Sequence, residues 1–253
     1  MESEKTLFVG DLHCKQEDVL PRVDGLVEAH GIGRVVLLGD YTDEWNSTAA
    51  DVLAALEVQK AWLADCAKAG LDVTCLLGNH DFEYLRTMGC GGTHREAIFE
   101  IRDSLSEIRM SAAACVDGRL VTHAGLTQRW RDENLFGCDD SETCASRINE
   151  MFLGEDPRDW KRLASAGRSR GGCGAPGPLW ADATDLYMDE AAGIDQIVGH
   201  TPVASCERLD FIDEEIWLCD TLSLTSHMRR IGNGTMLLLD DGRASVVFPS
   251  EPE

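Results

Sequence analysis

The sequence predicts an α/β fold built on an open sheet, and two observations carry that prediction. Short apolar runs, each stopped by a glycine, alternate with helix-length amphipathic stretches over the first 110 residues. The runs are apolar throughout rather than alternating, as strands covered on both faces are. The length of 253 residues suits one large domain.

The elements follow in order. Leu7-Phe8-Val9 is a strand stopped by Gly10, and a helix from about Glu17 to His30 is closed by Gly31. Val35 to Leu38 stops at Gly39. The next helix takes Ser47 or Thr48 as its cap, carries Leu53, Leu56, Leu63 and Ala67 on one face, and ends at Gly70, where a C-terminal glycine belongs. Asp72 to Leu77 is a third strand, and Thr93-x-x-Glu96 reads as a capping box for a helix reaching about Arg109. Ala112–Val116 and Arg119–Thr122 flank Asp117-Gly118, a hairpin signal. Ile194–Val198, Glu215–Cys219 and the pair Thr235–Leu239 and Ala244–Phe248 about Asp241-Gly242 complete the strands. Residues 127–180 read as a less regular insertion, with a glycine-rich stretch from Gly167 to Gly177 that cannot be regular structure. No linker divides the chain, so residues 1–253 are expected to form a single domain carrying that insertion.

Composition narrows the function. Against 23 basic residues stand 45 acidic ones, a formal charge of -22 that repels a nucleic acid duplex and an anionic membrane alike. An anionic substrate would therefore need local positive charge, which a bound metal supplies. No apolar run approaches the length of a membrane span, and the charged start gives no signal-peptide pattern. The ten cysteines are scattered with no C-x-x-C pair, so reduced thiols and a cytoplasmic location are expected.

Three strands end in a glycine followed by metal-binding residue types: Gly10-Asp11-Leu12-His13, Gly39-Asp40-Tyr41-Thr42-Asp43 and Gly78-Asn79-His80-Asp81. Two later strands end in His123-Ala124-Gly125 and Gly199-His200-Thr201. In an open α/β sheet, ligands sit beyond the carboxyl ends of the strands, so these tips converge on one crevice. Taken singly, an Asp after a strand is usually a turn residue and a His there is usually structural. Five tips in one style, holding four of the seven histidines, outweigh that reading. Mixed imidazole, carboxylate and amide donors suit manganese, iron or zinc better than an all-oxygen magnesium or calcium cage.

This order of motifs resembles the calcineurin-like metallophosphoesterases, and most closely the branch of phosphoprotein phosphatases, bacterial and phage serine/threonine phosphatases and dinucleoside tetraphosphatases. The resemblance implies a four-layer α/β/β/α sandwich with two facing mixed sheets. It also implies two divalent transition-metal ions, manganese foremost. Asp11 and His13 would bind the first, Asp40 would bridge both, and Asn79, His123 and His200 would complete the second. His80 would be the acid that protonates the leaving group, held by Asp43, with Asp81 in support. The implied activity is hydrolysis of phosphate monoesters, on a small molecule or a phosphoprotein, by a hydroxide bridging the metals. The alternatives are a phosphodiesterase or dinucleoside polyphosphate hydrolase, and more remotely a non-catalytic scaffold.

The chain departs from that branch after Asp43, where Glu44-Trp45 stands in place of an arginine that grips phosphate. Arg168 and Arg170 are the candidate replacements, and Asp182, in Trp180-Ala181-Asp182, is a candidate site residue. Arg86, Arg129 and Arg131 are weaker candidates. His30 and His94 read as helix-end residues, and His227 with Arg229-Arg230 as part of a loop.

Overall fold

A computed structural model describes residues 4–87, 91–211 and 213–249. Eleven strands among them form two mixed sheets. The first sheet holds β1 (Thr6–Val9), β2 (Arg34–Leu37), β3 (Asp72–Leu76), β4 (Met110–Ser111), β10 (Met236–Asp240) and β11 (Arg243–Val247), in the order β11-β10-β1-β2-β3-β4. Its strands β1 to β4 run parallel, and β10 and β11 add an antiparallel edge. The second sheet holds β5 (Ala113–Val116), β6 (Arg119–Thr122), β7 (Gln196–Pro202), β8 (Glu207–Asp210) and β9 (Glu215–Asp220), in the order β5-β6-β7-β9-β8.

Strand alternation builds the layers. Phe8, Val36, Leu38 and Leu76 meet Val121, Ile197 and Cys219 in a core between the two sheets. Their neighbours Leu7, Val9, Val35 and Leu37 face the other way, onto Val19, Leu20 and Val23 of α1 (Gln16–His30) and Val52 and Leu56 of α2 (Ala49–Ala69). With both faces buried, the central strands β1 and β2 are apolar in unbroken runs, Leu7–Val9 and Val35–Leu37. On the outer side of the second sheet, α6 (Ser141–Leu153) packs on β5 and β6. The outcome is the expected four-layer α/β/β/α sandwich.

Local signals account for most boundaries. Thr48 caps α2 in a reciprocal box with Asp51, and Gly31 and Gly70 end α1 and α2 in the left-handed conformation. The hairpin turns fall at Asp117-Gly118 and Asp241-Gly242, as expected. The Thr93 helix differs: a single 3-10 turn, Arg95–Ala97, precedes α4 (Ile98–Ser106). The chain there is drawn inward because the His94 backbone N–H donates to the hydroxyl of Tyr84 in α3 (Asn79–Arg86).

Residues 127–180 are more regular than expected. They contain α5 (Gln128–Asn134), α6 and α7 (Pro157–Leu163), while the glycine-rich stretch holds one 3-10 turn at Arg168–Arg170. A short α8 (Ala183–Met188) follows. No helix among the described residues is long and apolar enough to cross a membrane. The nine described cysteines are free thiols; Cys90, like the first three residues, lies outside the described ones.

Candidate metal centre and substrate cleft

The tips of β1, β2 and β3 meet those of β6 and β7 at the end of the inter-sheet seam. Asp11, Asp40, Asn79, His123 and His200 are all buried there, and His13 is half-buried. Close backbone approach makes this possible. A Cβ on Gly78 would lie 2.1 Å from the backbone nitrogen and a carboxylate oxygen of Asp40, and Gly39 needs its φ of +105° to turn the chain toward Gly78. His13, Asp40, Asp43 and His200 themselves hold positive φ, between 41° and 62°, a conformation non-glycine residues reach at some cost.

Two donor groups converge. Asp40, His123 and His200 form one, Asp11, His13 and Asp40 the other, each with ligand atoms within 4.8 Å of one another. The hydrogen bonds fix which imidazole nitrogens are bare. His123 Nδ1–H donates to the Leu38 carbonyl at 2.8 Å, so neutral His123 presents a lone pair at Nε2. That lone pair faces Asn79 Oδ1 at 2.9 Å, His200 Nδ1 at 3.1 Å and Asp40 Oδ2 at 3.5 Å. His13 Nδ1–H donates to the Asp43 carbonyl at 2.7 Å, leaving Nε2 at 3.7 Å from the same Asp40 oxygen and 3.9 Å from Asp11 Oδ2. Asp40 Oδ2 belongs to both sets, and each of these imidazole nitrogens can offer a lone pair to a cation once its proton is lost. Each of the two groups could hold a metal ion, with Asp40 common to both.

Without an ion, the imidazoles and carboxylates offset one another's charge, and a bound cation would take the place of the proton on His123. Burial and the neighbouring Asp220 and Asp40 carboxylates push Asp11 well above the usual carboxylate range. Burial opposes the charge on Asp40 too, but the imidazoles of His123, His80 and His13 hold it well below that range. Burial opposes protonation of His123, yet Asp40 and Asp11 raise it to about 10. His200, buried beside His123 and Arg170, is driven well below the ordinary imidazole value. Its Nε2 is buried with no hydrogen-bond partner.

His80 lies beside these groups and points its spare nitrogen into the cleft. Its Nδ1–H donates to Asp43 Oδ2 at 3.0 Å, and the Tyr84 hydroxyl donates to Asp43 Oδ1 at 2.6 Å. Burial opposes the charged imidazole, but Asp40 and then Asp43 outweigh it and raise His80 to about 9. Asp81 accepts from the Tyr41 and Gly78 N–H groups and the Thr42 hydroxyl, tying the β2 tip to the β3 tip.

A cleft of about 790 Å³ opens over this centre. Arg170 is the one arginine or lysine among the described residues lining it. Its Nη2 donates to the His200 carbonyl and Thr201 hydroxyl at 3.3 and 3.4 Å, and its Nε is 2.9 Å from Asp182 Oδ2. Arg168 is exposed and does not line the cleft. Asp182 does not line it either: it caps α8 and holds Arg170.

Glu44, where an arginine was anticipated, is paired with Lys15 and accepts from the Trp45 N–H, so its charge is compensated locally. Arg86 stacks 5.0 Å from both the Phe152 and Trp160 rings and is a packing element. Arg129 pairs with Glu133, and Arg131 with the Ala192 carbonyl. His94 is a residue whose place the sequence did not reveal, because it faces the cleft and contacts Ser47 Oγ at 3.3 Å. Trp45 and Trp180, beside motif residues in the sequence, also line the cleft, as do Leu224 and Ile231, which had no place in the motif reading.

The sequence profile of the calcineurin-like phosphoesterases matches residues 4–204. The chain belongs to that family. It is accordingly a metal-dependent phosphoester hydrolase. Solved structures with the same fold include a mutant of a cold-active protein tyrosine phosphatase (18% identity, 96% of this chain and 77% of the other, TM-score 0.63). They also include the cold-active protein tyrosine phosphatase of a psychrophilic Shewanella species (18% identity, 97% and 81%, TM-score 0.59). A serine/threonine phosphatase from Saccharomyces cerevisiae is similar over 100% of this chain and 82% of its own, at 14% identity and a TM-score of 0.54. No curated protein sequence matches the chain.

Proposed function

We propose that this phosphoesterase hydrolyses phosphate monoesters at a centre of two divalent transition-metal ions. Asp11 and His13 hold one ion, Asn79, His123 and His200 the other, and Asp40 is shared. The observation that carries the reading is the convergence of metal-ligating side-chain atoms on His123 Nε2 and Asp40 Oδ2, with His80 beside them. Manganese is the first candidate, iron and zinc the next, given the mixed donors. Such ions, when bound, draw phosphoryl oxygens and make a water between them acidic enough to serve as nucleophile near neutral pH.

The chain's own residues do the rest. His80 delivers a proton from Nε2 to the leaving oxygen, and Asp43 fixes the imidazole by accepting from Nδ1–H. Asp81 keeps the Asp40 and Asn79 loops in register. Arg170 meets the phosphoryl oxygens with a guanidinium oriented by Asp182. The sequence resemblance offers phosphoserine and phosphothreonine esters, free or in a phosphoprotein, as first candidates. Phosphodiesters are the second reading, favoured by the Arg170–Asp182 pair, which leaves the cleft with little uncompensated positive side-chain charge for a dianion. The free thiols suit a reducing, cytoplasmic setting.

Metal analysis with a substrate panel tests the proposal. The protein should take up close to two manganese ions and turn over monoesters faster than diesters or dinucleoside polyphosphates. Asp40→Asn should reduce occupancy at both positions together. Full occupancy in that variant would refute the assignment.

A further inference from the structure

Carboxylates and imidazoles share the lining of the cleft with large apolar side chains. Trp45, Trp180, Pro202, Leu224 and Ile231 are among them, although the site's chemistry uses none of these. Trp45 stands out because 54% of it is exposed. A large exposed aromatic is ordinarily free to move, yet this one is fixed. Its indole N–H donates to the Leu224 carbonyl at 2.9 Å, a contact that spans 179 residues of sequence. The partner segment is itself built, since Leu224 pairs with Arg230, Ile231 N–H donates to the Ser223 carbonyl, and Thr225 N–H donates to the Arg229 carbonyl. The outcome is a ring held in place over open space, backed by a hairpin that brings Leu224 and Ile231 to the same cleft.

Its position along the chain is equally specific. Trp45 follows Asp43 by two residues, and Asp43 holds His80, so the ring rises from the loop that fixes the leaving-group acid. His80 and Trp45 line the same cleft, so the group attached to the oxygen that His80 protonates shares that cleft with the indole. Trp180 stands beyond the other donors, its ring 5.7 Å from that of His200 at an interplanar angle of 78°. A flat apolar group would find aromatic surface here, whereas a short aliphatic chain would leave most of it bare.

We infer that Trp45 is a specificity-determining residue that selects phosphate esters whose leaving group is an aromatic ring, an aryl phosphate rather than an ester of an aliphatic hydroxyl. The inference rests on the proposed phosphomonoesterase reading and, from the cleft wall rather than from the resemblance, ranks aryl esters above aliphatic ones within it. The ring of the substrate lies against the indole while its phosphate sits at the metal donors and Arg170.

Binding separates this inference from the reading beneath it, without any turnover. At a pH alkaline enough for both to be dianions, phenylphosphonate and propylphosphonate present the same anion with a flat or an aliphatic substituent, and neither is hydrolysed. By calorimetry on the manganese-loaded protein, phenylphosphonate should bind about two- to tenfold more tightly, the range of an aromatic contact beyond area alone. Trp45→Leu, which keeps apolar bulk but loses the ring, should abolish the difference by weakening phenylphosphonate alone. Trp45→Phe should keep most of it. Equal binding of the two phosphonates to the wild type would overturn the aromatic selection and leave the phosphate site standing. So would an equal weakening of both in Trp45→Leu. Failure of either phosphonate to bind, with no turnover of any phosphate ester, would overturn both readings together.

Discussion

Replacing Arg170 by alanine tests how a phosphate is held where no arginine follows Asp43. Arg170 lines the cleft and leans on the His200 carbonyl, so its guanidinium lies within reach of an anion on the metal donors. A charge-assisted hydrogen bond contributes about 1.5–3 kcal/mol. Two features place Arg170 at the lower end: it is already paired with Asp182, and its side chain is 26% exposed, so water screens it. About 1.5 kcal/mol corresponds to roughly a tenfold fall in kcat/KM for phenyl phosphate. Arg170→Lys should recover part of that, because a lysine keeps the charge but not the two-pronged geometry. Asp182→Asn should cost less than Arg170→Ala, and the double variant should be no worse than Arg170→Ala alone, since Asp182 acts through Arg170. Steady-state kinetics beside metal analysis gives the answer, the latter guarding against an indirect effect through His200. Unchanged kinetics in Arg170→Ala, or an equal loss in the exposed Arg168→Ala, would refute the reasoning.

Two further outcomes are expected. His80→Asn should keep both metals while kcat falls by roughly 10²–10⁴-fold, and the loss should shrink for nitrophenyl esters, whose leaving group needs little protonation; equal losses on nitrophenyl and alkyl phosphates would exclude the acid role. Asp140→Ala removes the cap of α6, which packs on the outer side of the second sheet, so it should lower unfolding free energy by about 1 kcal/mol in denaturant titration and leave kcat/KM unchanged.

The parts of this molecule that were legible in the sequence are those set by nearest neighbours. A glycine after an apolar run, then Asp or Asn, then His, marks a strand tip because the backbone there needs sharp turns and close approaches, as Gly39 and Gly78 show. Likewise α2 was readable from Thr48 and Gly70. By contrast, β8 is a polar edge strand, Glu-Arg-Leu-Asp, with no buried face to impose a pattern. In α6 the signal was present and went unread: Cys144, Ala145, Ile148, Met151 and Phe152 repeat at helical spacing behind an Asp140 cap. The cleft wall was beyond reach for another reason. Choosing Arg170 over Arg168 depends on Asp182, compensating Glu44 depends on Lys15, and fixing Trp45 depends on Leu224. Such pairings exist only once the chain has folded.

The placement of the donors on both sheets ties occupancy to folding. Asp11, His13, Asp40 and Asn79 follow strands of one sheet, while His123 and His200 belong to the other, and only stacking of the two brings the six together. An ion held by such a set binds the native chain and not the unfolded one. At a hundredfold excess over its dissociation constant each ion then adds about 2.7 kcal/mol to global stability, a large share of what holds a domain together. Without ions, the same seam encloses Asp11, Asp40 and Asp220 as neighbouring buried carboxylates. Ions bound as proposed would make the centre a rivet through the sandwich as well as a reactive site. A chelator would loosen the molecule where its two halves join, and metal supply would govern how much folded protein persists as well as how fast it works.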